Sequence, residues 1–123
     1  MPTSDSVKFH FAGKSPIVQR IYDRLLTILR KFGPVIEEPK KTSIHLVNVS
    51  ALAGVEVRQN YLLLNIKTDY PIDSPRVERA EKISARRYHQ RVRLTALSDL
   101  DTELKQWLKD AYALSGAKSK SID

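Results

Sequence analysis

Three arginines and a histidine alternate along the run RRYHQRVRLT, residues 86–95. In an extended chain, successive side chains point to opposite faces. Arg87, His89, Arg91, Arg93 and Thr95 then share one face, and Tyr88, Gln90, Val92 and Leu94 share the other. Guanidinium groups in a row can hold phosphate or carboxylate through charge-assisted hydrogen bonds. The same row also suits the solvated outer face of a sheet, where cationic side chains discourage edge-to-edge aggregation.

The surrounding charge sharpens the question. The formal net charge of the chain is +7. Residues 76–93 hold seven Lys or Arg against Glu78 and Glu81, so this segment contributes +5 of it. So concentrated an excess bears on partners rather than on fold. It points to nucleic acid, an acidic protein or a phosphorylated ligand.

Catalytic constellations are thin. The three histidines, His10, His45 and His89, lack the local spacing of a zinc site, and there is no cysteine. The pairs Glu37–Glu38 and Asp99–Asp101 fit a connector and a helix start, where negative charge is stabilising without chemistry. With four glycines and no glycine-rich phosphate loop, a nucleotide cradle is not expected. No metal, cofactor or catalytic residue is assigned, and the chain reads as noncatalytic. One hydrolytic alternative is a phosphoesterase with His89 as acid or base and Arg91 or Arg93 stabilising the transition state.

These residues need elements to position them. Across KSPIVQRIYDRLLTILRKFGP, Ile17, Ile21, Leu25, Ile28, Leu29 and Phe32 recur at helical spacing. Ser15 and Pro16 suit its start, and Gly33 and Pro34 its end. SDLDTELKQWLKDAYALSG forms a second helix, capped by Ser98 or Asp99, with Leu100, Leu104, Trp107, Leu108 and Ala111 as its buried stripe. Between them, TSIHLVNV, LAGVEVR and YLLLNIK alternate as strands, the last two joined by a tight turn at Gln59–Asn60. PVIEEP is a weak edge or connector because of its prolines. VKFHF reads as a short strand or an anchor through Phe9 and Phe11. Residues 68–81 read as a long loop, with KIS adding a strand turn after it.

Hairpin-length spacings exclude parallel crossovers. The expected fold is α+β in two layers: an antiparallel sheet of three to five strands, with an N-terminal and a C-terminal helix packed on one face. A single domain spans residues 7–115, with disordered segments at 1–6 and 116–123. The open sheet face then displays His45, Glu56, Arg58, Tyr61, Asn65, Lys67, Arg87, His89, Arg91 and Arg93. Anion binding falls to Arg87, His89, Arg91, Arg93, Arg58, Lys67, Lys41 and His45, and base stacking to Tyr61. No apolar run suits a signal peptide or a membrane span, so a cytoplasmic location without membrane contact is expected.

The stretches FAGKSPIVQRIYDRLLTILRKFGP, KKTSIHL and RVRLTALSDLDTELKQWLKDAY together resemble a small bacterial family of unknown function, of the DUF5655 type. Its members occur alone or as a C-terminal module of larger proteins. The resemblance implies a compact α+β module and brings no activity, cofactor or catalytic residues. Lys41, His89, Arg91 and Arg93 match its pattern and could be functional. A looser likeness of layout to frataxin-like iron-handling proteins concerns fold alone. Iron handling needs a carboxylate-rich face, which this chain does not offer. The expected function is an accessory module whose basic sheet face holds nucleic acid or an acidic protein. The alternative is a homodimerising interaction domain.

Overall fold

The computed structural model describes residues 6–116. The expected frayed ends lie outside the described residues except for Ser6 and Gly116, which belong to structured elements. Helix α1 (Val7–Phe11) begins at Ser6, whose side chain accepts from the Phe9 N–H. VKFHF is therefore a short helix rather than a strand. From this helix His10 turns inward: its Nε2 lies 2.8 Å from the Lys40 carbonyl oxygen, and the ring is buried. The Phe11 ring packs at a tilt of 52° against Tyr22, 5.1 Å between ring centroids.

Helix α2 (Pro16–Arg30) follows, with proline at its first position. It buries Val18, Tyr22 and Leu26 as well as Ile21, Leu25, Ile28 and Leu29, a wider stripe than the spacing alone indicated. Gly33, at φ 155°, turns the chain away. A Cβ there would come within 3.0 Å of the Tyr112 ring, so the glycine serves both backbone and packing.

The sheet has six strands: β1 (Ile36–Pro39), β2 (Ile44–Val47), β3 (Ala51–Val57), β4 (Leu62–Thr68), β5 (Val77–Ser84) and β6 (Arg87–Leu94). Their spatial order is β1-β2-β3-β4-β6-β5, and every pairing is antiparallel. The expected count of three to five strands is corrected to six. The additional strand is β5, of which the sequence reading placed 77–81 in a loop and gave only KIS, 82–84, to a strand turn; it is exposed along almost its whole length. It lies on an edge, where pairing with β6 alone suffices and no apolar stripe is required. Breaks in register at both ends bend it away from regular pairing. The proline-bracketed β1 forms the other edge. The β3–β4 turn falls at Gln59–Asn60, with the Arg58 N–H donating to the Tyr61 carbonyl. Among the described residues no non-glycine φ is positive, so Asn60 does not supply a left-handed conformation there.

A 3₁₀ turn (Leu97–Asp99) leads to helix α3 (Thr102–Gly116). Asp101, rather than Ser98 or Asp99, caps α3 by accepting from the Leu104 N–H at 3.0 Å. Asp99 reaches back to the Thr95 and Ala96 N–H groups at 2.7 and 3.1 Å. The expected α3 stripe of Leu104, Trp107, Leu108 and Ala111, with Leu100 just before the helix, is buried. With α2 and the inner sheet residues Ile44, Leu46, Val55, Leu62, Leu64, Ile66, Val92 and Leu94, it forms one core.

Gln90 and Thr68 are the polar exceptions on the inner face, and Gln90 does the more. It is fully buried, its amide nitrogen donates to Thr68 Oγ1 and, at 3.0 Å, to the Tyr70 carbonyl, and its amide oxygen accepts from the Ile72 N–H at 2.6 Å. One side chain thus fastens the 69–76 connection onto the sheet.

Candidate anion-binding face

Cross-strand register sets which residues meet on the open face. One row runs Glu38, His45, Gly54, Asn65, Arg91 and Arg79 across all six strands. A second brings Lys67, His89 and Glu81 together, and a third Glu56, Leu63 and Arg93. The alternation read in β6 is therefore real: Gln90, Val92 and Leu94 are buried, and Arg87, His89, Arg91 and Arg93 lie on the other side. Leu63 also lies on the open side yet is buried, opposite Glu56 and Arg93.

At the centre of the face is a hollow of about 270 Å³. Ala51, Ala53 and Gly54 of β3 form part of its lining, and His45, Glu56, Asn65, Lys67 and His89 stand around them. The absent side chain at Gly54 helps open it: a Cβ built there would lie in ordinary contact, 3.8 Å from His45 Cδ2. A neighbouring hollow, also about 270 Å³, is lined by Asn65, Arg79, Glu81, His89 and Arg91. Asn65 and His89 are common to both.

Both imidazoles sit below the ordinary histidine range. For His45 the causes are burial, then Lys40 and Lys67, with Glu38 opposing. For His89 they are burial, then Lys67, with Glu81 opposing. Both rings are therefore neutral at neutral pH, each with one donor and one acceptor nitrogen.

The cations differ in how free they are. Arg58 and Arg91 both approach Glu56, at 2.8 and 3.5 Å, and Arg93 bonds Glu78 at 2.8 Å. The Arg93 guanidinium also lies 4.3 Å from the Tyr61 ring centroid, so one face of the expected stacking residue already carries a cation. Arg76 leaves the basic patch altogether. It bonds Asp101 and Glu103 at 2.9 and 3.2 Å, donates to the Asp99 carbonyl and packs on Trp107. Lys67, Arg79 and Arg87 make no ion pair among the described residues. Lys41 lies exposed in the β1–β2 connection, outside the lining of either hollow. Arg91 Nε is buried without a hydrogen-bond partner among the described residues.

The sequence reading named most of this constellation but missed Gly54, Asn65 as a shared wall, and Arg79. Gly54 had one signal, an isolated glycine within a strand pattern, which marks a close approach or an opening. Among the described residues, no cluster of three or more metal-ligating side chains occurs. No helix of the described residues is long and apolar enough to cross a membrane.

A family model described as Domain of unknown function (DUF5655) matches residues 7–115. The chain belongs to that family. No curated protein and no solved structure matches it. Family membership leaves the chemistry of the open face to its geometry.

Proposed function

We propose that this domain is a noncatalytic binding module whose open sheet face holds the phosphates of a nucleic acid. The observation that carries this reading is the placement of Lys67 and Arg79, free of acidic partners among the described residues, at the two hollows of the open sheet face, with the equally unpaired Arg87 beside Lys67 at a third hollow that reaches α3. A cationic groove of this kind follows a phosphate backbone through counterion release. An acidic protein would meet the same charges, but an extended polyanion matches a face whose cations are spread across several strands.

The test is fluorescence anisotropy of labelled oligonucleotides titrated with protein at low and moderate salt. Binding should fall steeply as salt rises. Arg79→Glu with Arg87→Glu, both exposed, should remove it and leave the melting temperature almost unchanged, because exposed substitutions usually cost under about 0.5 kcal/mol. Equal affinity in wild type and variant would exclude this face. Cleavage of the oligonucleotide, lost in His89→Ala, would replace the binding reading with a phosphoesterase.

A second reading, self-association, is favoured by the edge of β5. Set antiparallel to a second copy about Ala80, this strand opposes Arg79 to Glu81, Glu78 to Lys82 and Val77 to Ile83. Opposite charges directly across strands are stabilising, and Ile83 is half exposed. Sedimentation should then depend on concentration. Glu81→Arg should give monomers, and the double exchange Arg79→Glu with Glu81→Arg should restore the dimer. A single sedimentation coefficient at every concentration excludes it.

A further inference from the structure

The central hollow differs in chemistry from the cationic face around it. Its floor is set by Gly54, which lacks a side chain and lies between His45 and Asn65 in the open-face row, with small Ala51 and Ala53 beside it in the lining. Its walls carry two neutral imidazoles and the Asn65 amide, all groups that pair donor with acceptor. Glu56, the acid on its rim, is already engaged by Arg58 and Arg91. Lys67 is the cation that lines it. A bare phosphate finds more charge next door, where Arg79 and Arg91 line the second hollow and Arg91 Nε lacks a partner. At about 270 Å³ the central hollow is slightly smaller than common small-molecule pockets, which begin near roughly 300 Å³. That is room for one planar ring.

We propose that the Gly54 hollow receives one unstacked nucleobase of a single-stranded nucleic acid, with a flanking phosphate at the Arg79–Arg91 hollow. This rests on the nucleic-acid reading above and deepens it. The small floor lets a ring approach the sheet closely, and histidine side chains stack on bases in single-strand recognition. Asn65 and His89, shared by the two hollows, meet both base edge and phosphate. A duplex keeps its bases stacked and paired, so it cannot fill the hollow without the cost of extruding one. The domain therefore prefers single strands.

The experiment compares three labelled probes of equal length: a single strand, its duplex, and a single strand whose sugars lack bases. They are titrated against wild type, Gly54→Val and Asn65→Leu. Gly54→Val fills the hollow without changing charge. Gly54 has no positive φ, and a Cβ there meets only ordinary contact, so the strand accepts a side chain. Asn65→Leu keeps the volume and removes the amide. Wild type should bind the single strand roughly tenfold or more tightly than either other probe, since stacking of one base is worth about that much or more. Both variants should lose that margin and keep the affinity for the base-free strand. Equal binding of all three probes by wild type overturns the base subsite and leaves the phosphate reading standing. Undiminished preference in both folded variants also overturns it. Absence of binding to every probe at low salt overturns both readings together.

Discussion

His45 and His89 tie the site to pH through one physical effect. Burial and the nearby Lys40 and Lys67 disfavour the charged ring of His45, and burial and Lys67 that of His89, while Glu38 and Glu81 oppose only in part. The folded protein thus binds these protons less tightly than the unfolded chain. The resulting stability is present above the unfolded histidine pKa near 6.5 and is lost as pH falls through the lowered folded values. The melting temperature should drop between about pH 7 and about pH 5, the window in which histidine changes charge. The double variant His45→Gln, His89→Gln should show a flatter profile over that window. A profile identical to wild type would mean that neither ring is perturbed. The types of these side chains were legible in the sequence. That they line one hollow without touching depends on strand order, because they lie on β2 and β6 with two strands between them.

At the scale of elements, legibility followed burial. Helix α3 was readable because Leu104, Trp107, Leu108 and Ala111 recur on one buried stripe. Trp107→Ala should cost about 3–5 kcal/mol in denaturant unfolding, as for other large-to-small core changes. An unchanged midpoint would take Trp107 out of the core. Strand β5 was legible only at KIS, because an edge strand with little buried surface carries no apolar period. What holds it in place is partly remote: Gln90 secures the connection that delivers it. Gln90→Leu removes the partner of the part-buried Ile72 N–H and should cost about 1–3 kcal/mol, the range for losing one such bond to a group held away from water. Proteolysis should then begin in 69–76. A resistant, fully stable variant would mean that the Gln90 bonds are dispensable.

For the molecule as a whole, charge serves partners while apolar burial serves the fold. The ion pairs Arg58–Glu56 and Arg93–Glu78 are substantially exposed. Such pairs contribute about 0–1 kcal/mol each and are screened by salt. Raising salt to about 1 M, where screening acts over about 3 Å, should therefore abolish oligonucleotide binding and shift the melting temperature little. Parallel loss of both would mean that the face also holds the fold together.

The amino-acid sequence by itself determined the α+β class, the two long helices, the central hairpins and the side of β6 that carries the arginines. Each follows from a local period, 3.6 for a helix and 2 for a strand, that sorts apolar from polar residues. Tertiary structure alone decided the rest. The return of β6 beside β4, with β5 outside it, is a choice of strand order that no local period encodes. That order brings His89 beside Lys67 and Arg91 beside Asn65. It also decides which arginines are neutralised: Arg91 meets Glu56 of β3, and Arg76 turns away to α3. The Gly54 hollow exists only because residues from β2, β4 and β6 rise around a strand position without a side chain, and that depends on register between segments far apart in the chain.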